Sequence, residues 1–170
     1  RYSNTTERTF KVASELVRTG VKPARTAECV FASYPWSRIQ LMGAVLSTAK
    51  RDPTGRVACM RQSLEMQKQA RASDEDADGF VNYPLTAGEV EAVALLKECT
   101  PGVYRTSLRS KGEVNVARVA EMFGGGGHRN AAGCTLKGPW DETEARIVRL
   151  LRDAVERANG NKEITEDALK

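Results

Sequence analysis

The fold of this chain is decided by residues 91–110, which read EAVALLKECTPGVYRTSLRS. Residues 91–98 and 102–110 are rich in Val, Leu, Tyr and Thr, and this composition is typical of strands. The intervening Cys99-Thr100-Pro101 is typical of a turn, because proline presets a backbone angle that turns require. We therefore expect two neighbouring strands in the middle of a sheet.

The second of these strands has a polar face. Alternation with a period of two places Arg105, Ser107 and Arg109 on one side and the residues between them on the other. Ser110 and Lys111 extend the polar group at the end of the strand. A guanidinium group presents a planar fork that suits bidentate phosphate binding. The pattern indicates an anion-binding face, with a merely solvated strand face as the alternative.

The sequence on either side of these strands predicts an α/β protein. Apolar residues recur at helical spacing through most of residues 1–54, with Asn4 as the expected N-cap of the first helix. Short strand and helix patterns alternate through residues 55–158, which we expect to form the main folded domain. Residues 159–170 are polar and are expected to form a mobile tail.

The strongest local signal is residues 124–133, which read GGGGHRNAAG. Glycine reaches positive φ freely and has no side chain, so a glycine run can turn its amides toward one point and admit a phosphate oxygen. If residues 128–132 begin a helical turn, the amides of that turn add to the anion site. A flexible connecting loop is the alternative. The candidate ligand contacts in this run are Gly124, Gly125, Gly126, Gly127, His128, Arg129 and Asn130.

Composition narrows the class of protein without giving a function. Lysine and arginine number 26 against 22 acidic residues, which gives a formal net charge of +4 and a pI near 9.0. This modest excess favours anionic partners such as phosphates. The four cysteines are far apart and form no CxxC pair, so we expect reduced, buried thiols in a cytosolic protein. No apolar run has the length of a membrane helix.

No complete catalytic or metal-binding centre is evident in the sequence. The acidic stretch at residues 74–78 has no nearby histidine and lacks the spacing of an EF-hand loop, which favours a solvated linker over a metal site. His128 is the only histidine and has no evident carboxylate partner. We therefore expect neither catalytic residues nor a bound metal ion in this chain.

Three segments together resemble a known family. Residues 107–112, which read SLRSKG, residues 116–123 and the GGGGHRNAAG run closely resemble the DHHA1 domain of DHH-family phosphoesterases, and residues 79–85 are also similar. Within that family, the set is most similar to bacterial oligoribonucleases that also dephosphorylate adenosine 3′,5′-bisphosphate. The resemblance implies a DHHA1-type mixed β-sheet flanked by helices, preceded by a helical segment from the end of a DHH domain.

The resemblance also implies roles for individual residues. Arg109 and Ser110 would grip the terminal phosphate of the substrate, residues 125–127 would offer backbone amides, and His128 would contact the nucleotide. The catalytic half of such proteins is an N-terminal DHH domain whose two manganese ions activate water for attack on the phosphate ester. Because those metal-binding motifs are absent from this sequence, the chain alone is expected to be inactive.

The partners implied by the resemblance are a phosphorylated nucleotide or short oligonucleotide and the chain's own DHH domain. A homodimer is left open, and no membrane contact is expected. Two alternatives remain for the function. One is a regulatory module that binds RNA or nucleotides without hydrolysis, and the other is the substrate domain of a phosphodiesterase for cyclic dinucleotides or single-stranded DNA. A DHH segment upstream of Arg1 in the full gene would favour an enzyme.

Overall fold

The computed structural model describes residues 5–167, with the side chains of residues 5–160. The chain forms two compact units, which divide between Trp36 and Ser37. The expected boundary at residue 54 therefore lies inside the second unit. The first unit contains two helices, α1 (Glu7–Arg18) and α2 (Pro23–Phe31).

The start of α1 differs from the expected cap. The hydroxyl of Thr6 accepts a hydrogen bond from the amide of Thr9, and the hydroxyl of Thr9 accepts one from the amide of Thr6. This reciprocal capping box satisfies amides that the helix itself leaves free. The expected cap, Asn4, lies outside the described residues. No residue of α1 or α2 is buried, although both carry large apolar side chains such as Phe10 and Phe31.

The second unit is built on one mixed sheet. Its strands are β1 (Lys50–Arg51), β2 (Val57–Gln62), β3 (Ala92–Thr100), β4 (Val103–Ser110), β5 (Gly126–His128) and β6 (Ala131–Lys137). Their order is β1-β2-β3-β4-β6-β5. The β2–β3 pair is parallel, and the other neighbouring pairs are antiparallel. The expected strand pair is confirmed as β3 and β4 in the middle of the sheet, joined by a turn in which Gly102 has a φ of +74°.

Helices cover the two faces of this sheet unequally. They are α3 (Trp36–Ser47), α4 (Leu64–Gln69), α5 (Val116–Glu121) and α6 (Trp140–Asp167), with three 3-10 turns at residues 75–77, 80–82 and 84–86. One face packs against α5 and α6 in a core that contains Leu108, Val116 and Ile147. The other face packs against α3 and the 3-10 turns in a second core that contains Leu41 and Phe80. The α/β fold with a mixed sheet flanked by helices is thus confirmed.

The last helix is longer than the sequence indicates. α6 continues to Asp167, past residue 159, where the polar tail was expected to begin. The final residues 168–170 lie outside the described part of the chain. The mobility of this end stays a prediction. None of the described helices has the length and apolarity that crossing a bilayer requires.

Two of the four cysteines are buried and two are exposed. Cys59 and Cys134 are buried, and burial raises the pKa of the Cys59 thiol to about 12 and that of the Cys134 thiol to about 11. Cys29 and Cys99 are exposed, which corrects the expectation that all four thiols are buried. All four are free of disulfide bonds.

Thiol labelling at mildly alkaline pH is expected to follow this division. The thiolate is the reactive species, so Cys29 and Cys99 should react with DTNB in the folded protein. Cys59 and Cys134 should react only after guanidinium chloride has unfolded the chain. The released chromophore, counted before and after denaturation, measures both classes. Fast reaction of all four thiols in the folded protein would contradict the burial of Cys59 and Cys134.

Candidate functional site

Half of one sheet face is left uncovered by the helices of the second unit. The core under α3 draws its strand residues from β2 and β3, whereas the same face of β4, β6 and β5 carries small and polar residues. All of these residues are exposed or half-buried, and we call the surface they form the open face. It consists of Arg105, Ser107, Arg109, Gly126, His128, Ala131, Gly133 and Thr135.

The strand register sets the positions on the open face, because directly paired residues point to the same side of a sheet. Arg109 pairs with Ala131, and Ala131 pairs with His128, so these residues form one row across three strands. Neighbouring strands lie about 4.8 Å apart, which places Arg109 and His128 about 10 Å apart along this row. The small side chain of Ala131 lies between them.

The next row is almost free of side chains. Ser107 pairs with Gly133, and Gly133 pairs with Gly126. The two glycines leave a shallow floor beside the Arg109–His128 row. The burial pattern along β4, in which buried residues alternate with more exposed ones, confirms the predicted placement of Arg105, Ser107 and Arg109 on one face.

Three side chains around this floor keep polar groups available. The hydroxyl of Ser107 and the ring of His128 have no hydrogen-bond partner in the part of the chain that the structure describes. In Arg109, Nη1 donates to the carbonyl of Leu108 at 2.9 Å. The rest of the guanidinium group is available to a ligand. Around the glycine floor, the open face therefore brings together the guanidinium group of Arg109, the hydroxyl of Ser107 and the imidazole of His128.

Three other predicted site residues are already engaged in holding loops. The hydroxyl of Ser110 donates to the carbonyl of Val114 at 2.7 Å and accepts from the side-chain amide of Asn130 at 3.0 Å. The ammonium group of Lys111 donates to the carbonyl of Ala87 at 2.7 Å. Ser110 is also buried. The three side chains therefore fix the loops at the end of β4, and their contact with a ligand stays a prediction.

Gly124 and Gly125 end helix α5. The amide of Gly124 donates to the carbonyl of Glu121, and that of Gly125 donates to the carbonyl of Ala120, both at 3.0 Å. Gly124 has a φ of +70°, in the left-handed region that favours glycine. These two bonds form a Schellman motif, which satisfies carbonyls at the end of the helix. The amides of Gly124 and Gly125, which were expected to be free for a phosphate, are therefore already used in hydrogen bonds to the helix.

The rest of the glycine run forms a β-hairpin, so the helical turn considered for residues 128–132 is not formed. A Cβ atom at Gly127 would lie 2.5 Å from the carbonyl oxygen of Ala131, so glycine permits the close approach of β5 to β6. The side chain of Arg129, in the hairpin turn, pairs with Glu113. The glycines are thus explained in part by backbone packing.

An ion-pair network that the sequence reasoning missed lies at one end of the open face. One carboxylate oxygen of Asp74 lies 2.5 Å from Nζ of Lys97, and the other lies 2.8 Å from Nη2 of Arg105. Lys97, and then Arg105, holds the pKa of the Asp74 carboxyl below its usual value. Asp74 in turn raises the pKa of Arg105. The signal in the sequence was a lysine directly after the apolar residues 92–96 of β3.

The acidic residues that the structure describes do not cluster as ligands of a metal ion. Among the described residues, no group of three or more His, Cys, Asp or Glu side chains could hold a metal ion. Because Asp74 is ion-paired, the acidic stretch at residues 74–78 is also more than the solvated linker that was expected. Through its ion pairs with Lys97 and Arg105, Asp74 joins the turn at residues 75–77 to the sheet.

Comparison with known proteins supports the resemblance. Residues 57–157 match the model of the DHHA1 domain. The chain is 37% identical over 160 residues, 93% of its length, to the bifunctional oligoribonuclease and PAP phosphatase NrnA of Thermus thermophilus. It is 32% identical over 132 residues, 78% of its length, to a probable bifunctional oligoribonuclease and PAP phosphatase NrnA of Streptococcus mutans. The matches cover 47% and 42% of these relatives, so the chain spans about half their length.

A solved structure shares the fold. The crystal structure of an exopolyphosphatase-related protein from Bacteroides fragilis matches with a TM-score of 0.77 and 32% identity, covering 90% of this chain and 44% of that chain. Fold and site together define an α/β domain whose mixed sheet is covered by helices on one face and on part of the other, while the rest of the second face is polar and open. The match of residues 57–157 to the DHHA1 model identifies the family within this class. The chain belongs to the DHHA1 domain family.

Proposed function

We propose that this chain is the substrate-binding part of a phosphoesterase that hydrolyses short oligonucleotides and nucleoside 3′,5′-bisphosphates. The names of the two curated relatives, oligoribonuclease and PAP phosphatase, support this proposal. The observation that carries it in this chain is the grouping of Ser107, Arg109 and His128 around the glycine floor of the open face. These side chains offer charge and hydrogen bonds to a phosphate, and the floor leaves room for the nucleoside.

Each of the three residues has a distinct proposed role. Arg109 anchors the terminal phosphate through the free part of its guanidinium group, since charge-assisted hydrogen bonds are the strong ones. His128, about 10 Å away across the row, contacts the adjoining nucleotide. Ser107, in the next row beside the glycine floor, donates its hydroxyl to the same ligand. Ser110 acts behind Arg109 by fixing the end of β4 through its bond to Val114.

The chemical step is proposed to lie in a DHH domain outside this chain, in a cytoplasmic protein. Manganese ions held there would supply activated water. The residues of this chain would hold the phosphate and orient the bond to be cleaved, which lowers the entropic cost of the reaction. Exposed apolar side chains on α1 and α2, such as Phe10 and Phe31, support packing against further protein. The isolated chain is therefore proposed to bind without hydrolysing.

Replacing Arg109 or His128 with alanine is expected to weaken binding of 5′-phosphorylated diadenylate by roughly tenfold or more. A hydrogen bond to a charged group contributes about 1.5–3 kcal/mol, and about 1.4 kcal/mol corresponds to tenfold. Calorimetric titration measures the affinities. The thermal unfolding temperature should hardly change, since neither side chain is buried. Arg149→Ala is the matched control, because it removes an exposed arginine from α6, on the other side of the sheet.

The same samples separate the alternatives when they are also titrated with adenosine 3′,5′-bisphosphate and assayed for manganese-dependent hydrolysis. Binding without turnover supports a substrate-binding part that needs a catalytic half. Turnover by this chain alone would contradict the assignment of the chemistry to another domain. Equal affinities of the wild type, Arg109→Ala and His128→Ala would remove the open face as the site.

A further inference from the structure

A second concave surface lies on the side of the sheet opposite the open face. It is a groove of about 490 Å³ between α5 and α6, which we call the α5–α6 groove. Aliphatic side chains line part of it, among them Val119, Leu150 and Ala154. Arginine side chains line the rest. A groove of this size, with an apolar floor and a few charged groups, has the general character of a ligand site.

The charges of the α5–α6 groove favour an anionic ligand. Three arginines, Arg118, Arg129 and Arg157, line it together with one glutamate, Glu113. Glu113 pairs with Arg129. The guanidinium groups of Arg118 and Arg157 have no ion-pair or hydrogen-bond partner among the residues that the structure describes. Two guanidinium groups are therefore free to bind phosphates, and their planes can also stack on bases.

Arg129 connects the groove to the open face. His128 lies on the open face, and Arg129, the next residue, lines the groove. Consecutive Cα atoms are about 3.8 Å apart, so the two surfaces meet at the hairpin turn. β5 is the edge strand and is three residues long. A nucleic-acid strand that leaves the open face past His128 therefore reaches the groove by crossing one short edge strand.

We propose that the α5–α6 groove binds the distal nucleotides of oligonucleotides too long to be held on the open face alone, with Arg118 and Arg157 contacting their phosphates. This inference rests on the proposed function, because it extends the same substrate strand around the edge of the sheet. An acidic protein segment would also match the arginines. The continuity of the groove with the hairpin turn favours the substrate strand, and substrate length becomes the property that the groove controls.

The test compares 5′-phosphorylated oligoadenylates of two and six nucleotides, titrated into the full chain. The double variant Arg118→Ala/Arg157→Ala is expected to bind the hexanucleotide roughly tenfold or more weakly than the wild type, and the dinucleotide equally well. Loss of two phosphate contacts should also reduce the slope of log affinity against log salt by about 1.4 for the hexanucleotide. Arg149→Ala should change neither affinity. Both replaced arginines are exposed, so the unfolding temperature should stay unchanged.

The outcomes separate this inference from the proposed function. If the wild type binds the dinucleotide but the double variant holds the hexanucleotide as tightly as the wild type, the groove inference is overturned alone, and an acidic protein segment becomes its better ligand. Equal weakening of both oligonucleotides in a variant that unfolds like the wild type also overturns it, since the arginines would then act at the open face. If the wild type binds neither oligonucleotide, the proposed function fails and this inference falls with it.

Discussion

Replacing Gly125 with alanine is expected to lower the free energy of unfolding by about 3 kcal/mol, the upper end of the usual range for overpacking. A Cβ atom at Gly125 would lie 2.2 Å from the carbonyl oxygen of Gly133 and 2.7 Å from Cβ of Cys134. Because the first contact is with backbone, β6 must move to relieve it. The amide of Gly125 also bonds to the carbonyl of Ala120, so the disturbance reaches the end of α5.

Thermal unfolding measures this effect, and a loss of about 3 kcal/mol corresponds to roughly 6–12 °C in a chain of this length. Gly126→Ala is the matched control in the adjacent position. A Cβ atom at Gly126 would meet no atom within 4 Å, and its φ lies outside the left-handed region. Its stability should therefore stay within about 0.5 kcal/mol of the wild type. Equal losses in both variants would show that close packing against β6 does not constrain Gly125.

The glycine run shows what the sequence could and could not predict. A run of glycines indicates unusual backbone geometry, and the structure has it at Gly124 and Gly127. The groups that the glycines approach could not be predicted. Gly125 and Gly127 pack against β6, a strand whose position depends on its pairing with β4. A glycine that admits a neighbouring strand and a glycine that admits a phosphate look the same in a sequence.

The central strands were predictable because their signals are local. Alternation along β4 identified the face of Arg105, Ser107 and Arg109, and the turn before it identified the strand pair. β1 and β5 are two and three residues long, too short to carry a pattern, and exist through their pairing with neighbours. The place of His128 beside Arg109 therefore follows only from the register of β5, β6 and β4.

A sequence does not show whether a polar residue near the end of β4 binds a ligand or closes a loop. Ser110 and Asn130 are the residue types that bind phosphates, but the same hydroxyl and amide groups also close loops. Here the side-chain amide of Asn130 donates to Ser110 and to the carbonyls of Gly112 and Val114. These partners are brought together by folding of the loop, and only the structure reveals that the polar atoms are already used.

The network around Asp74 gives the second large expected effect. Replacing Asp74 with alanine is expected to lower the free energy of unfolding by about 2 kcal/mol, because it leaves the ammonium group of Lys97 without a counter-ion. The side chain of Lys97 is only 8% exposed. Breaking a fully buried pair costs about 3–5 kcal/mol. The expected loss is smaller here because the Asp74 side chain is 61% exposed, and solvent screens exposed pairs.

The loss should depend on pH in a defined direction. Lys97, and then Arg105, lowers the pKa of the Asp74 carboxyl in the folded protein. Such a carboxyl stabilises the fold above its unfolded pKa and loses this contribution as the pH falls through its folded pKa. The difference in stability between the wild type and Asp74→Ala should therefore be greatest near neutral pH and shrink in acid. Urea denaturation over a series of pH values measures this difference.

A double variant separates the unpaired charge from other consequences of the change. In Asp74→Ala/Lys97→Met, methionine replaces the lysine stem without its charge, and replacing both members of a buried pair with apolar groups is often neutral. The double variant should therefore recover most of the stability that Asp74→Ala loses. Asp78→Ala is the control, because Asp78 is an exposed carboxylate of the same segment that forms no ion pair with the residues the structure describes. A double variant as unstable as Asp74→Ala would place the loss in the backbone around residue 74, and not in the stranded ammonium of Lys97.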